Sequence, residues 1–271
     1  MSVPITTPRT AHDDGVRAKT LRGLLLARAL DAARVAHGFT TRALASAMSL
    51  SPAMLNRIMT GRRVPTALEI GGLCSLLDIH PARRHRLYQL TADADLTDWI
   101  IHPGSDMSPL GAIEEIADTI TYYDPLLIPH PLRTTAYHRA LDSSTDEHPD
   151  DTPGPESPRI SRFLLHPRSL TNAPVPKEVM AEQIRHLRDT TPNSIRLLPT
   201  AFPPHPGFQL LKINHFPPVV HIDHHGTHIL LEHPTSTSPH ATVLHDAQAA
   251  ALTSEHTQRA LANLASSGRH R

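Results

Sequence analysis

Between Phe39 and Pro65 the chain carries two helix starts so closely spaced that few arrangements can accommodate both. Thr40 stands where a side-chain oxygen can accept from a first-turn amide, and Ser51 does the same for a second helix. Pro52 follows Ser51 at the first helical position, where its missing N–H costs nothing. Ser49, Leu50 and Ser51 are then all that remains for the turn between the helices, and Gly61 ends the second one. Leu44, Ala47 and Met48 on the first helix share a face, and Leu55 and Ile58 on the second point inward.

The flanking residues complete a small helical module. Lys19 to His37 reads as one helix with Leu21, Leu25, Ala29, Ala32 and Ala36 near one face, stopped at Gly38. Thr66 and Glu69 have the spacing of a capping box for a helix bearing Leu68, Leu73, Leu76 and Leu77. Another starts near Pro81 and runs through Leu87, Tyr88 and Leu90. The expectation is an all-α five-helix bundle over residues 18–92, with a helix-turn-helix at Thr41 to Thr60, behind a mobile tail at 1–17.

Charge separates this module from the rest of the chain. The 26 basic and 26 acidic residues of the 271-residue chain cancel overall. Up to Leu90, however, there are 13 basic against 5 acidic residues, and beyond it 13 against 21. A basic module attached to an acidic one suits a chain of which only the first part approaches a polyanion. No stretch is apolar enough to span a bilayer, and the N-terminus lacks the pattern of an export signal, so a cytoplasmic protein is expected. The single cysteine, Cys74, excludes an internal disulfide and lies in an apolar helix context.

Residues 93–109, rich in Pro, Gly and Ser at their end, read as a linker, and 110–267 as an α+β domain with an antiparallel sheet. A helix carries Ile113, Ile116, Ala117 and Ile120; another spans Thr134 to Leu141. Residues 142–158 are acidic and proline-rich without apolar periodicity, the composition of a disordered loop. Ile160 to Leu165, Ile195 to Leu198, Phe208 to Ile213, Val219 to Asp223 and His228 to Glu232 read as strands. Lys177 to Asp189, Thr242 to Leu252 and Ser254 to Ser266 read as helices, and His224 to Thr227 as a hairpin turn.

The order of Thr40, Leu44-Ala45, Ser51, Leu55, Arg57-Ile58, Gly61-Arg62 and Pro65 resembles the Cro/cI-like, or XRE-family, helix-turn-helix over about residues 20 to 80. Three positions depart from that family: Ser49 replaces the turn glycine, Thr41 a glutamine, and Met59 an acidic residue. The resemblance implies a recognition helix lying in the major groove of double-stranded DNA. Helical geometry then presents Pro52, Ala53, Asn56 and Arg57 outward. Asn suits adenine, Arg suits guanine, and Pro52 or Ala53 suits a thymine methyl. Thr41, Arg42, Ser51, Arg62 and Arg63 are the candidate phosphate contacts.

Tyr122-Tyr-Asp-Pro-Leu-Leu-Ile-Pro-His-Pro-Leu-Arg-Thr-Thr-Ala-Tyr-His-Arg-Ala-Leu141 resembles the opening signature of a C-terminal domain of unknown function found behind such modules in actinomycetes. Glu182 to Leu187, Ile195 to Pro199, His205 to Phe208 and Val219 to Asp223 come in that domain's order. Pro129-His-Pro131 and His166-Pro167 depart from its usual pattern. This resemblance implies an antitoxin-like transcriptional regulator, often encoded beside a short partner protein. The expected function is sequence-specific DNA binding as a homodimer, with a C-terminal domain for an effector or partner. The other reading is an interaction protein that binds a small toxin-like partner, with DNA binding secondary.

Histidine is abundant, 21 residues, and densest at His221 to His228. On a strand His221, Asp223 and His225 would share one face, as a two-His, one-carboxylate metal site requires. Histidines are spread along the whole chain, however, so local density reflects composition. Asp223-His224-His225 spells a phosphoesterase motif without the aspartate-rich loops that chemistry needs. No Gly-rich phosphate loop or nucleophile elbow is present, and Trp99, Tyr122 and Tyr123 read as core aromatics. No enzymatic activity, cofactor or metal is expected.

Overall fold

The computed structural model describes residues 18–103, 109–141, 160–171, 174–190, 194–224 and 226–267. The anticipated tail at 1–17 and the acidic loop at 142–158 lie outside the described residues, as does His225. The chain divides into two compact units, one running up to Thr97 with Asn214–Phe216, the other made of Asp98–Ile213 and the residues from Pro217 onward.

The first unit is built from α1 (Leu21–Ala36), α2 (Thr41–Ala47), α3 (Pro52–Met59), α4 (Ala67–Leu76) and α5 (Pro81–Ala92). Leucines decide which face of α1 turns inward. Leu21, Leu24, Leu25, Leu26 and Leu30 are buried, whereas Ala29, Ala32 and Ala36, expected inside, are not. Burying a leucine removes far more apolar area from water than burying an alanine, so the leucine-dense arc wins over strict spacing. Leu68 and Leu76 on α4 also differ from expectation, being 87% and 37% exposed, while Ile70, Leu73 and Cys74 fill the interior. Thr20 caps α1, its hydroxyl accepting from the Gly23 amide and donating to the Ala94 carbonyl beyond α5.

The second unit contains a seven-stranded sheet with helices. In chain order these are β1 (Trp99–Ile101), α6 (Leu110–Ile116), β2 (Thr119–Asp124), α7 (Thr135–Leu141), β3 (Ile160–Leu165), α8 (Pro167–Thr171) and α9 (Lys177–Thr190). They continue with β4 (Ile195–Leu197), β5 (Phe208–Lys212), β6 (Val219–His224), β7 (Thr227–Leu231), α10 (Pro234–Ala250) and α11 (Ser254–Ser267). The strand order is β1-β7-β6-β5-β2-β3-β4.

The sheet corrects the antiparallel expectation: it is mixed. Antiparallel pairing runs from β1 through β7, β6 and β5 to β2, and β2–β3 and β3–β4 are parallel. The reason lies in the connections. The short links of β5–β6–β7 fold back as hairpins, whereas α8 and α9 between β3 and β4 form the helical crossover that a parallel pair needs. Trp99–Ile101, inside the stretch read as linker, is the edge strand β1, with Trp99 opposite Leu230 and Ile101 opposite His228. Strand β2 is masked in the sequence because Ile120 fits the periodicity of the preceding helix; it carries the buried Ile120, Tyr122 and Tyr123 at the middle of the sheet. On one side of the sheet Tyr123, Leu164, Phe208, Leu210 and Val220 pack with Leu244, Ala247 and Ala251 of the α10 region.

Candidate nucleic-acid interface

Capping and turn chemistry shape the α2–α3 pair. The Thr40 hydroxyl accepts from the Ala43 amide at 3.1 Å, and the Ser51 hydroxyl from the Met54 amide at 3.2 Å. Between the helices Ser49 takes a left-handed conformation, φ 53°, and the Leu50 amide donates to the Ala45 carbonyl at 2.9 Å. Ala45 and Leu44 are fully buried behind α3, where Leu55 and Ile58 are 0% and 1% exposed. At the end of α3 the Thr60 amide and hydroxyl both donate to the Asn56 carbonyl, at 3.0 and 2.7 Å.

The opposite side of α3 is open. Pro52, Ala53, Asn56 and Arg57 are all exposed, Arg42 is exposed on α2, and Thr41 is half-buried. Met54, which is not in the outward set expected from the sequence, is exposed as well, 38%. Ser51 is exposed, and its cap bond uses the oxygen as acceptor, leaving the hydroxyl hydrogen for another partner.

The two arginines of the α3–α4 connection differ. Arg62 is exposed. Arg63 makes a two-pronged ion pair with Glu69: one guanidinium nitrogen is 3.0 Å from Oε1 and the other 2.9 Å from Oε2. Glu69 also completes the expected capping box. Its Oε2 accepts from the Thr66 amide at 2.8 Å, and its own amide donates to the Thr66 hydroxyl at 3.3 Å. Burial alone would raise the Glu69 carboxyl pKa, but the bonds from Arg63 and Thr66 outweigh it and hold it below the ordinary value. The sequence revealed the box through its spacing; nothing in the spacing revealed that the same carboxylate takes Arg63.

Within the histidine patch of the second unit, His221 and His228 form a pair. His221 Nε2 lies 3.0 Å from His228 Nδ1, and burial together with His228 pulls the His221 pKa to about 4, against a smaller opposing pull from Asp223. Asp223 is opposite His228 in the β6–β7 register. Among the described residues no group of three His, Cys, Asp or Glu side chains is placed to hold a metal ion.

Residues 25–87 match a family described as a helix-turn-helix domain, and residues 152–263 a domain of unknown function, DUF5753. No curated protein matches the chain. Two crystal structures of the clp gene regulator ClgR from Corynebacterium glutamicum are similar to it. One is 24% identical, with 29% of this chain and 97% of that chain covered and a TM-score of 0.23. The other is 25% identical, with 28% and 78% covered and a TM-score of 0.24. No described helix is long and apolar enough to cross a membrane. A helix-turn-helix points to a DNA-binding transcriptional regulator. The chain carries a helix-turn-helix domain followed by a DUF5753 domain.

Proposed function

We propose that the protein is a sequence-specific transcriptional regulator that binds double-stranded DNA as a homodimer, with α3 in the major groove. The observation that carries this reading is the division of α3. Leu55 and Ile58 brace it from behind while Pro52, Ala53, Asn56 and Arg57 stand exposed together on a basic unit. Asn56 reads adenine through its amide and Arg57 reads guanine through its fork of donors, while Pro52 and Ala53 lie against thymine methyls. Thr41, Arg42, Ser51 and Arg62 contact phosphates and set the register of the helix without reading sequence. Two copies engage half-sites about 34 Å apart, and the C-terminal domain supplies the dimer contact or the site for an effector or partner.

Duplex DNA from the region upstream of the protein's own gene is the test substrate, with affinity measured at two salt concentrations. Asn56→Ala and Arg57→Ala should each weaken the specific complex by about 1–3 kcal/mol, roughly 5- to 150-fold in Kd, with non-specific binding retained. Binding that emerges only when a small partner protein is added would overturn this reading in favour of an antitoxin-like interaction protein.

A further inference from the structure

We infer that Arg63 is a positioning residue that fixes the course of the chain from α3 into α4, and that the phosphate attraction of this connection comes from Arg62. The inference rests on the reading of α3 as the DNA-facing helix.

Arg63 is tied in two directions. Its backbone amide donates to the carbonyl of Arg57, 3.1 Å away, in the last turn of α3. Its guanidinium grips both oxygens of Glu69 in the first turn of α4, at 3.0 and 2.9 Å. One residue therefore joins the helix that carries the candidate reading side chains to the start of the next. The joint is partly sheltered, the Arg63 and Glu69 side chains being 29% and 14% exposed. A fork-on-fork pair fixes direction as well as distance, and a lysine, a point charge on a flexible stem, cannot reproduce it.

Pairing also changes what Arg63 offers to a polyanion. Its charge is matched by Glu69, so the pair adds little to counterion release. For the guanidinium to reach a phosphate it would have to abandon a carboxylate that then faces the same polyanion. Arg62, exposed beside it, bears no such cost.

The experiment uses the full chain, a duplex selected by the wild-type protein from a random pool, and a scrambled duplex. Affinity is measured across a salt series and folding is checked by thermal melts. Arg62→Ala should weaken both duplexes alike and reduce the magnitude of the log K against log salt slope by about one. Arg63→Ala should weaken the selected duplex about tenfold more than the scrambled one, the scale of one misplaced base contact, and the charge-neutral double variant Arg63→Gln/Glu69→Gln should leave the slope unchanged. Arg63→Lys should not restore that selectivity. Glu69→Gln, which keeps an acceptor for the Thr66 amide, should lose it to the same degree. The inference fails if the double variant Arg63→Gln/Glu69→Gln lowers the slope by about one, if Arg63→Lys binds like wild type, or if Glu69→Gln keeps the wild-type selectivity. A wild-type chain that does not prefer its selected duplex sinks the reading of α3 itself, and this inference with it. Preference in the wild type combined with a lowered slope in the double variant sinks the inference alone.

Discussion

Burial decides the charge of His221. The residue is 2% exposed, and its Nδ1 is buried without a hydrogen-bond partner among the described residues, so a second proton on the ring would bring an uncompensated charge. Burial first, and His228 after it, hold its pKa at about 4, whereas in the unfolded chain a histidine titrates near 6.5. Between those values the unfolded chain binds a proton that the native chain does not. The stability due to neutral His221 is therefore complete above about pH 6.5 and is lost as pH falls toward about 4. The difference corresponds to on the order of 3 kcal/mol. Trp99, the single tryptophan, sits buried in β1 beside β7 and reports on this sheet. Its fluorescence should show the urea midpoint dropping between pH 7 and pH 4.5, and His221→Gln should flatten that slope. An unchanged pH dependence in the variant would assign the acid sensitivity to other groups.

At the scale of elements, the α2–α3 turn and the end of α3 both use left-handed backbone, with different residues in the two places. Ser49 adopts φ 53° with a side chain that disfavours it, while Gly61 takes φ 70° without strain. Ser49→Gly should therefore stabilise the first unit by up to about 1 kcal/mol, read as a rise of several degrees in its melting temperature. Gly61→Ala should lower it. Besides the unfavourable φ, its Cβ would lie 2.7 Å from the Cβ of Ala18 and 3.3 Å from its Cα, too close without a backbone shift. These caps and stops were legible because Thr40, Ser51-Pro52, Gly61 and the Thr66–Glu69 box act locally, through hydrogen bonds spanning three or four residues. The sheet was less legible. β2 is buried on both faces and so lacks alternation, and its partners β3 and β5 are far away in sequence. The start of α10 was hidden for another reason: Pro234-Thr-Ser-Thr-Ser-Pro239 has the composition of a loop. Pro234 takes the first helical position, and the His233 ring caps the Thr235 amide at 3.3 Å. In the candidate interface, the outward residues of α3 came from periodicity, whereas the Arg63–Glu69 pair depends on how two helices meet and leaves no local trace.

Across the whole molecule, Asp98 shows how the second unit begins where the first ends. It is the first residue after the division at Thr97, and its carboxylate reaches a turn more than 130 residues later in the chain. Oδ1 accepts from the amides of Glu232 and His233 at 2.7 and 3.1 Å, and Oδ2 from the hydroxyl of Ser236 at 2.8 Å. One side chain thus ties the entry of β1 to the N-terminal turn of α10, which packs on the sheet through Leu244 and Ala247. Burial raises the Asp98 carboxyl pKa, but the three bonds more than offset it and hold the group below its ordinary value. That support is present above the unfolded value near 4 and disappears as pH falls below it, deeper in the acid range than the loss from His221. Asp98→Ala should cost the second unit about 2 kcal/mol, the upper end for a lost helix cap. Because each unit has its own core, the loss should not spread evenly. The transition reported by Trp99 fluorescence should move to lower urea, while the transition shifted by Ser49→Gly or Gly61→Ala stays in place. If Asp98→Ala moved both transitions together, the two units would be unfolding as one cooperative body, and the division at Thr97 would have no thermodynamic meaning.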